Sequence, residues 1–404
     1  MAATIGAIAA LSCVESSEVS RTAVTDSAGV RIVSHDLSDI EVPPFRRVGS
    51  FDLQMGVVDG GAEYSFSGIV DLALADDGRM VLSDRNAQEL RVFDAEGRHL
   101  ATIGGSGEGP GEFAGTPTIA GLSGDTIHAF DARAGRVSRF LLDGEFLASD
   151  GVISGSGNRI RALHLRAGGG YLGVSPWVQR DVREEFYEAR LELDSLVVEH
   201  LASGGGAMDT VLVTAERRRL RRVQDGGGGV FRTAQGDPPY LPEFFLASNG
   251  EVEVTGRSVA FELAVSRPGG QPTLLRVEGA QHAADHGDIR SYQEAAIRSE
   301  LGEQPLSPMM RQLLLDNLPD RLPAFARVVM ARSGDLWVAR SSLDEGAERD
   351  WLVFAPDGEL RGSVQTPQGM RLLAVAPDFL VGEVRNDLDV PFVRRYPFLV
   401  GLGG

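Results

Sequence analysis

A six-bladed β-propeller, an all-β ring of four-stranded antiparallel blades, is the fold that this 404-residue sequence predicts, on three observations. Fifty glycines and nineteen prolines are spread along the chain rather than gathered in one tract, which suits many short strands and tight turns. The chain exceeds the size at which one hydrophobic core usually stops growing, so it is either several domains or a repeat that enlarges by adding units. The third observation favours the repeat: DGRMVLSDRNAQELRVFDAEGRHLATIG (77–104) returns as GDTIHAFDARAGRVSRFLLDGEFLASDG (124–151), 46 residues after Gly78.

The elements follow in chain order. MAATIGAIAALS is apolar and small, and the ALSC that ends at Cys13 resembles the lipobox at which bacterial lipoprotein signals are cut and the cysteine is lipidated. These twelve residues fall short of the ~20 that span a bilayer. Residues 1–13 therefore read as a lipoprotein-type signal that lacks a charged start, and the polar residues 14–28 as a tether. GVRIVS (29–34) and RRVGSFDL (46–53) alternate as strands do and stand outside any full unit. One of them is expected to complete the last sheet and close the ring, which hides edge strands from other chains.

Within the first unit, MVLSD, ELRVFD and HLATI are three β segments separated by turn residues. Fainter copies begin near 170 (GGYLGVSPWV), 250 (NGEVEVTG), 334 (SGDLWVARS) and 378 (PDFLVGEV), making six with those at 78 and 124. A period of about 40–50 residues with four short strands is the mark of propeller blades. Two intervals are longer. Residues 284–322 show apolar residues at helical spacing, so a helical insertion is expected there. The other, with DTVLVTAERRRLRRVQDGGGG, is either a long hairpin or a degenerate seventh blade.

VLSDRNAQELRVFDAEGRHLATIGGSGEGPGEF is similar to the NHL repeat, whose units carry an aspartate and asparagine turn element, an arginine and an aromatic on the next strand, and a glycine-rich link to the following blade. With SAGVRIV at the start and RNDLDVPFVRRYPF at the end, the order resembles bacterial six-bladed NHL-like propeller lipoproteins across most of residues 28–400. The resemblance implies that Asp84, Asn86 and Asp131 organise turns through backbone hydrogen bonds, with Arg91 on the following strand. It also implies a cell-envelope protein, anchored at Cys13 and facing the periplasm or the cell surface.

GGSGEGPGEF (104–113) is not a nucleotide cradle. No register places glycines at i, i+2 and i+5, no helical periodicity follows, and Glu108 and Glu112 would repel a phosphate. Its glycines suit the positive φ of a link from an outer strand to the next inner strand. All 39 basic residues are arginine, which removes lysine-dependent phosphate loops and Schiff-base chemistry. A net charge of −18 argues against nucleic acid as a partner, and against the membrane except through a lipid anchor at Cys13.

His282 and His286 have the spacing of zinc ligands on a helix but lack the adjacent glutamate of a metalloprotease. ERRRLRR (216–222) is the one dense basic patch, and a solvated hairpin accounts for it more simply than an anionic partner does. Trp177, Trp337 and Trp351 fall on strands and read as packing residues. Calcium-dependent propeller lactonases and esterases hold the ion with carboxylates from several blades, and Glu63, Asp71 and Asp335 are the candidates near inner strands. The expectation is a monomeric, non-enzymatic propeller without a cofactor that binds a peptide, glycan or partner protein on a loop-rich face. The alternative is a calcium-dependent hydrolase with its site in the channel.

Overall fold

The computed structural model describes residues 21–177, 190–225, 231–236, 243–280, 287–291, 322–342 and 350–399. The chain begins with β1 (Arg21–Ser27), β2 (Val30–Asp36), β3 (Arg47–Val48) and β4 (Leu53–Met55), then enters a ring of six sheets. Blade 1 is β5–β8 (Ile69–Leu74, Met80–Asp84, Glu89–Phe93, His99–Gly104) and blade 2 is β9–β12 (Pro117–Ser123, Thr126–Asp131, Arg136–Leu141, Phe146–Gly151). Blade 3 is β13–β17 (Ala162–Leu165, Tyr171–Trp177, Arg190–Leu201, Ala207–Asp225, Phe231–Gly236). Blade 4 is β18–β21 (Phe244–Ser248, Glu253–Arg257, Glu262–Ser266, Thr273–Glu278) and blade 5 is β22–β25 (Phe325–Met330, Leu336–Arg340, Asp350–Phe354, Leu360–Gln365). Blade 6 is β26–β28 (Arg371–Val375, Phe379–Arg385, Pro391–Leu399). Six blades, and not seven, make the ring, because the long interval after residue 170 is spent on the β15–β16 hairpin of blade 3.

Blades that stack face to face bury both sides of their middle strands. That is why β6 (MVLSD) and β24 (DWLVF) hold three and four consecutive apolar residues and are buried almost throughout, while the outer strand β12 (FLASDG) alternates between half-buried and exposed. The buried residues fall into six clusters, one for each junction between neighbouring blades. Trp337 and Trp351 lie fully buried in the cluster between blades 5 and 6, packed 6.3 Å apart.

The second of the two early segments closes the ring. Leu53–Met55 pairs antiparallel with β28 as the outer strand of blade 6, so one sheet is built from both halves of the chain. GVRIVS instead becomes β2, which runs parallel to β21 on the rim of blade 4, with β1 beyond it. Its buried Val33 and His35 hold it there, and His35 Nε2 meets the Gly358 carbonyl of blade 5 at 2.8 Å. Residues 287–291 are helical, and most of the expected insertion over 284–322 lies outside the described residues.

Candidate functional site

One face of the ring carries the links between blades and the turns between second and third strands, and charged side chains bind it down. The Asp84 carboxylate accepts hydrogen bonds from the Ser67 amide (3.0 Å), the Ser67 hydroxyl (2.9 Å) and the Asn86 amide (3.2 Å), while the Asn86 side-chain amide donates to the Ser67 carbonyl (2.9 Å). Asp131 repeats the arrangement in blade 2, taking the amides of Ala114 (2.7 Å), Gly115 (3.3 Å), Arg133 (2.9 Å) and Ala134 (3.0 Å). A short acceptor at the end of a second strand thus fastens the preceding link to its own turn.

Arginines on the third strands hold the same links by their carbonyls. Arg91 donates to Ser65 O (2.8 Å), and Arg136 to the carbonyls of Glu108 (3.1 Å), Gly109 (3.0 Å) and Glu112 (2.6 Å). The glycine-rich link of residues 104–113 therefore wraps a guanidinium. Gly104, Gly105 and Gly111 take φ of +88°, +128° and +80°, while Gly107 and Gly109 do not need the left-handed region. Replacing Asp131 with alanine takes the acceptor from four amides, two at half-buried residues (Ala114, Gly115) and two at exposed ones (Arg133, Ala134), and is expected to cost on the order of 1–3 kcal/mol. Asp131→Asn keeps one oxygen and should cost less, a ranking that denaturant unfolding of the two variants checks.

The three calcium candidates are not brought together. Glu63 lies in a 3-10 turn (Ala62–Tyr64) before blade 1, and Asp335 sits in the β22–β23 turn on the opposite face, paired with Arg361 at 3.1 Å. Asp71 alone is on an inner strand, where its carboxylate takes the amides of Leu72 (2.9 Å) and Ile119 (3.3 Å). Burial pushes the Asp71 carboxyl up, against the pull of those amides and of the Arg371 and Arg327 charges. Across the six inner strands Asp71 is the one carboxylate and His164 the one imidazole, beside the guanidiniums of Arg327 and Arg371. Two cations near the lone acid oppose a third. Among the described residues no group of three His, Cys, Asp or Glu side chains lies close enough to hold a metal ion.

Cys13, His282 and His286 lie outside the described residues, as do the side chains of Trp177 and of residues 216–222. The last stretch runs along β16.

Among the described residues the cluster between blades 3 and 4 is the smallest, with four buried residues, Leu172, Val174, Leu196 and Val198, against sixteen between blades 4 and 5. The cause is on blade 4, where strand alternation sends Val254, Leu263 and Val265 toward blade 5 and leaves Glu253, Thr255, Glu262 and Ala264 for the side toward blade 3. Glu253 spends its charge on Arg166 of blade 3 (2.6 Å), and β20 is buried only at alternate residues.

The space left over is a cavity of about 340 Å³, lined on the blade 3 side by Ala162, His164, Val174, Pro176 and Leu196, and on the blade 4 side by Phe244, Phe245 and Leu246. Arg161 and Glu243 also line it. Burial lowers the His164 pKa to about 4, so its imidazole is neutral near pH 7 and offers one donor and one acceptor. The arrangement suits an apolar, most simply aromatic, body bearing an uncharged polar group. None of these residues was singled out from sequence. The available signal was the change from three or four consecutive apolar residues (MVLSD, DWLVF) to strict alternation in ELAVS, which marks a blade covered on one side only.

The comparisons with known proteins agree on architecture. The family model that matches is DUF5128, a 6-bladed beta-propeller, over residues 63–151, which take in the first two blades. An exported protein from Bacteroides fragilis is 13% identical, with 91% of this chain and 100% of that one covered at a TM-score of 0.51. The fold is that of a six-bladed propeller. A member of the DUF4221 family from Bacteroides vulgatus (13% identity, 88% and 98% covered, TM-score 0.45) and virginiamycin B lyase from Staphylococcus aureus (9%, 86% and 98%, TM-score 0.41) are more distant. No curated protein matches the chain in sequence.

Proposed function

We propose that the protein is a non-enzymatic binding propeller of the bacterial cell envelope, tethered through Cys13, which takes an apolar side chain of a peptide or partner protein between blades 3 and 4. The cavity is the observation that supports this reading. Its volume of about 340 Å³ falls within the roughly 300–1,000 Å³ of small-ligand sites, and its walls are mostly apolar with few polar groups, as such sites are built. With one carboxylate on all six inner strands, the channel offers little of the oxygen cage of six to eight ligands that calcium requires. A tether ending at Arg21 would hold the outer rim of blade 4 close to the membrane, with the cavity at the inner edge of the same blade.

N-phenyl-1-naphthylamine, a neutral aromatic dye that brightens in apolar surroundings, tests the cavity directly. The full chain should bind it at one saturable site, capped phenylalanine amide should displace it, and Ala162→Phe, which fills the cavity, should abolish the signal. Unchanged binding by the variant would remove the cavity from the proposal. Calcium titrated against thermal unfolding separates the hydrolase alternative, since an ion at a hundred times its dissociation constant stabilises by about 2.7 kcal/mol. A melting temperature raised by calcium and restored by a chelator would favour that alternative.

A further inference from the structure

Polar side chains on the inner strands bond to the next blade. The Asp71 carboxylate of blade 1 accepts the Ile119 amide of blade 2 at 3.3 Å, and the Arg371 guanidinium of blade 6 donates to the Ile69 and Val70 carbonyls of blade 1 at 2.6 and 3.2 Å. His164 holds the comparable place on blade 3. Its side chain lines the cavity toward blade 4, yet among the described residues neither ring nitrogen has a hydrogen-bond partner. An imidazole turned into a mostly apolar cavity is left unsatisfied unless a ligand or water supplies the bond.

The cavity has a closed end and an open one. Alternation on β13 sends Leu163 and Leu165 to the cluster with blade 2 and leaves Ala162 and His164 to face blade 4. Two residues beyond His164, Arg166 pairs with Glu253 of blade 4 at 2.6 Å, and the Ala167 amide bonds to the Gly250 carbonyl, which shuts that end. At the other end Arg161 and Glu243 are exposed just before β13 and β18, so the cavity opens on the face that carries the links between blades. His164 stands three residues in from Arg161, about 10 Å at the rise of a strand, with Val174, Pro176 and Leu196 facing Phe244 and Leu246 along the way.

We infer that the cavity selects tyrosine: the ring of a partner's tyrosine enters from the link face between the apolar walls of blades 3 and 4, and its hydroxyl hydrogen-bonds the His164 imidazole. Selection of this kind rests on the cavity being a binding site, and it narrows the occupant from any apolar side chain to one. A neutral imidazole presents one donor and one acceptor, and a hydroxyl, itself both, meets it in either tautomer. Serine and threonine carry the hydroxyl without an apolar body to fill the walls, and phenylalanine carries the body without the hydroxyl. A carboxylate or ammonium tip would lie buried without an opposite charge, since Arg166 and Glu253 at the closed end are spent on each other.

Displacement of N-phenyl-1-naphthylamine from the full chain by N-acetyltyrosinamide, N-acetylphenylalaninamide and the O-methyl ether of the tyrosine amide reads the preference. The tyrosine amide should act at a concentration at least about tenfold lower than the phenylalanine amide, which leaves the imidazole unpaired, and the ether, which cannot donate, should lose most of that gain. His164→Leu should bring the ratio of the tyrosine and phenylalanine inhibition constants to about one, and His164→Gln, which restores a donor and an acceptor, should recover part of the preference. That ratio does not depend on how tightly each variant holds the dye, and the comparison in the parent chain needs no variant. Equal displacement by the two amides in the parent chain, or a tyrosine preference that persists in His164→Leu, would overturn the selection of tyrosine while dye binding still upheld the cavity. Failure of the parent chain to bind the dye at all would remove the cavity as a site, and the selection with it.

Discussion

Met55→Asp is expected to cost more than about 5 kcal/mol, because it removes a buried thioether and leaves a carboxylate without a partner at the seam of the ring. Met55 is 2% exposed and belongs to the cluster that joins blade 6 (Val381, Val393) to blade 1 (Ile69, Leu72, Met80, Leu82, Phe93). It lies on β4, where it pairs with Val393. A ring gains from this junction what every other junction gains, and also the restraint of both chain ends, so losing it frees two blades at once. Denaturant unfolding should show the loss as a much lower midpoint. The control is Leu100→Asp on the outer strand of blade 1, where the side chain is 51% exposed and the same change should fall within about 0.5 kcal/mol. Similar midpoints for Met55→Asp and the parent chain would mean that β4 does not hold the ring closed.

Acid should destabilise the protein well before its carboxylates protonate. His128 and His164 are lowered to about 4 by burial, with the Arg139 charge adding to the effect at His128, and burial also lowers His35. The unfolded chain takes up these protons near pH 6.5, whereas the native chain resists until much lower pH. Stability is therefore full above about 6.5, falls as the pH drops toward about 4, and gains no further histidine penalty below that. For His128, whose Nδ1 meets the Tyr171 hydroxyl at 2.9 Å between blades 2 and 3, the loss is on the order of 2 kcal/mol, allowing for the solvent that still reaches the ring. Unfolding midpoints taken from pH 7.5 to 4.5 should show this slope, and His128→Phe should flatten part of it. A level profile over that range would contradict the burial of these imidazoles as neutral groups.

The repeat that marks each blade was legible because it is local. A turn followed by an apolar second strand recurs at 78, 124, 170, 250, 334 and 378, with glycine at the first five positions and Asp378 at the last, and those positions fall just before β6, β10, β14, β19, β23 and β27. Asp84 and Asp131 could be located for the same reason, since each bonds amides two or three residues ahead of it. Glu63, Asp71 and Asp335 could be named but not related, because distance between blades is set by ring closure, not by spacing along the chain. The cavity stayed hidden for the same reason. It needs Val174 and Leu196 of one blade opposite Phe244 and Leu246 of the next, and nothing local encodes that meeting.

The two early segments draw the line most sharply. Both GVRIVS and RRVGSFDL alternate as strands, and both carry strand in the structure, the first as β2 and the second as the short β3 and the start of β4. Which sheet each joined was decided by tertiary fit: Met55 completes the seam of blades 6 and 1, while Val33 and His35 bury against the rim of blades 4 and 5. Sequence settles the period of a strand and the chemistry of its turns, because both act over a few residues. The partner of its free edge, and the gap that two imperfectly matched faces leave between them, exist only once all six blades share one axis.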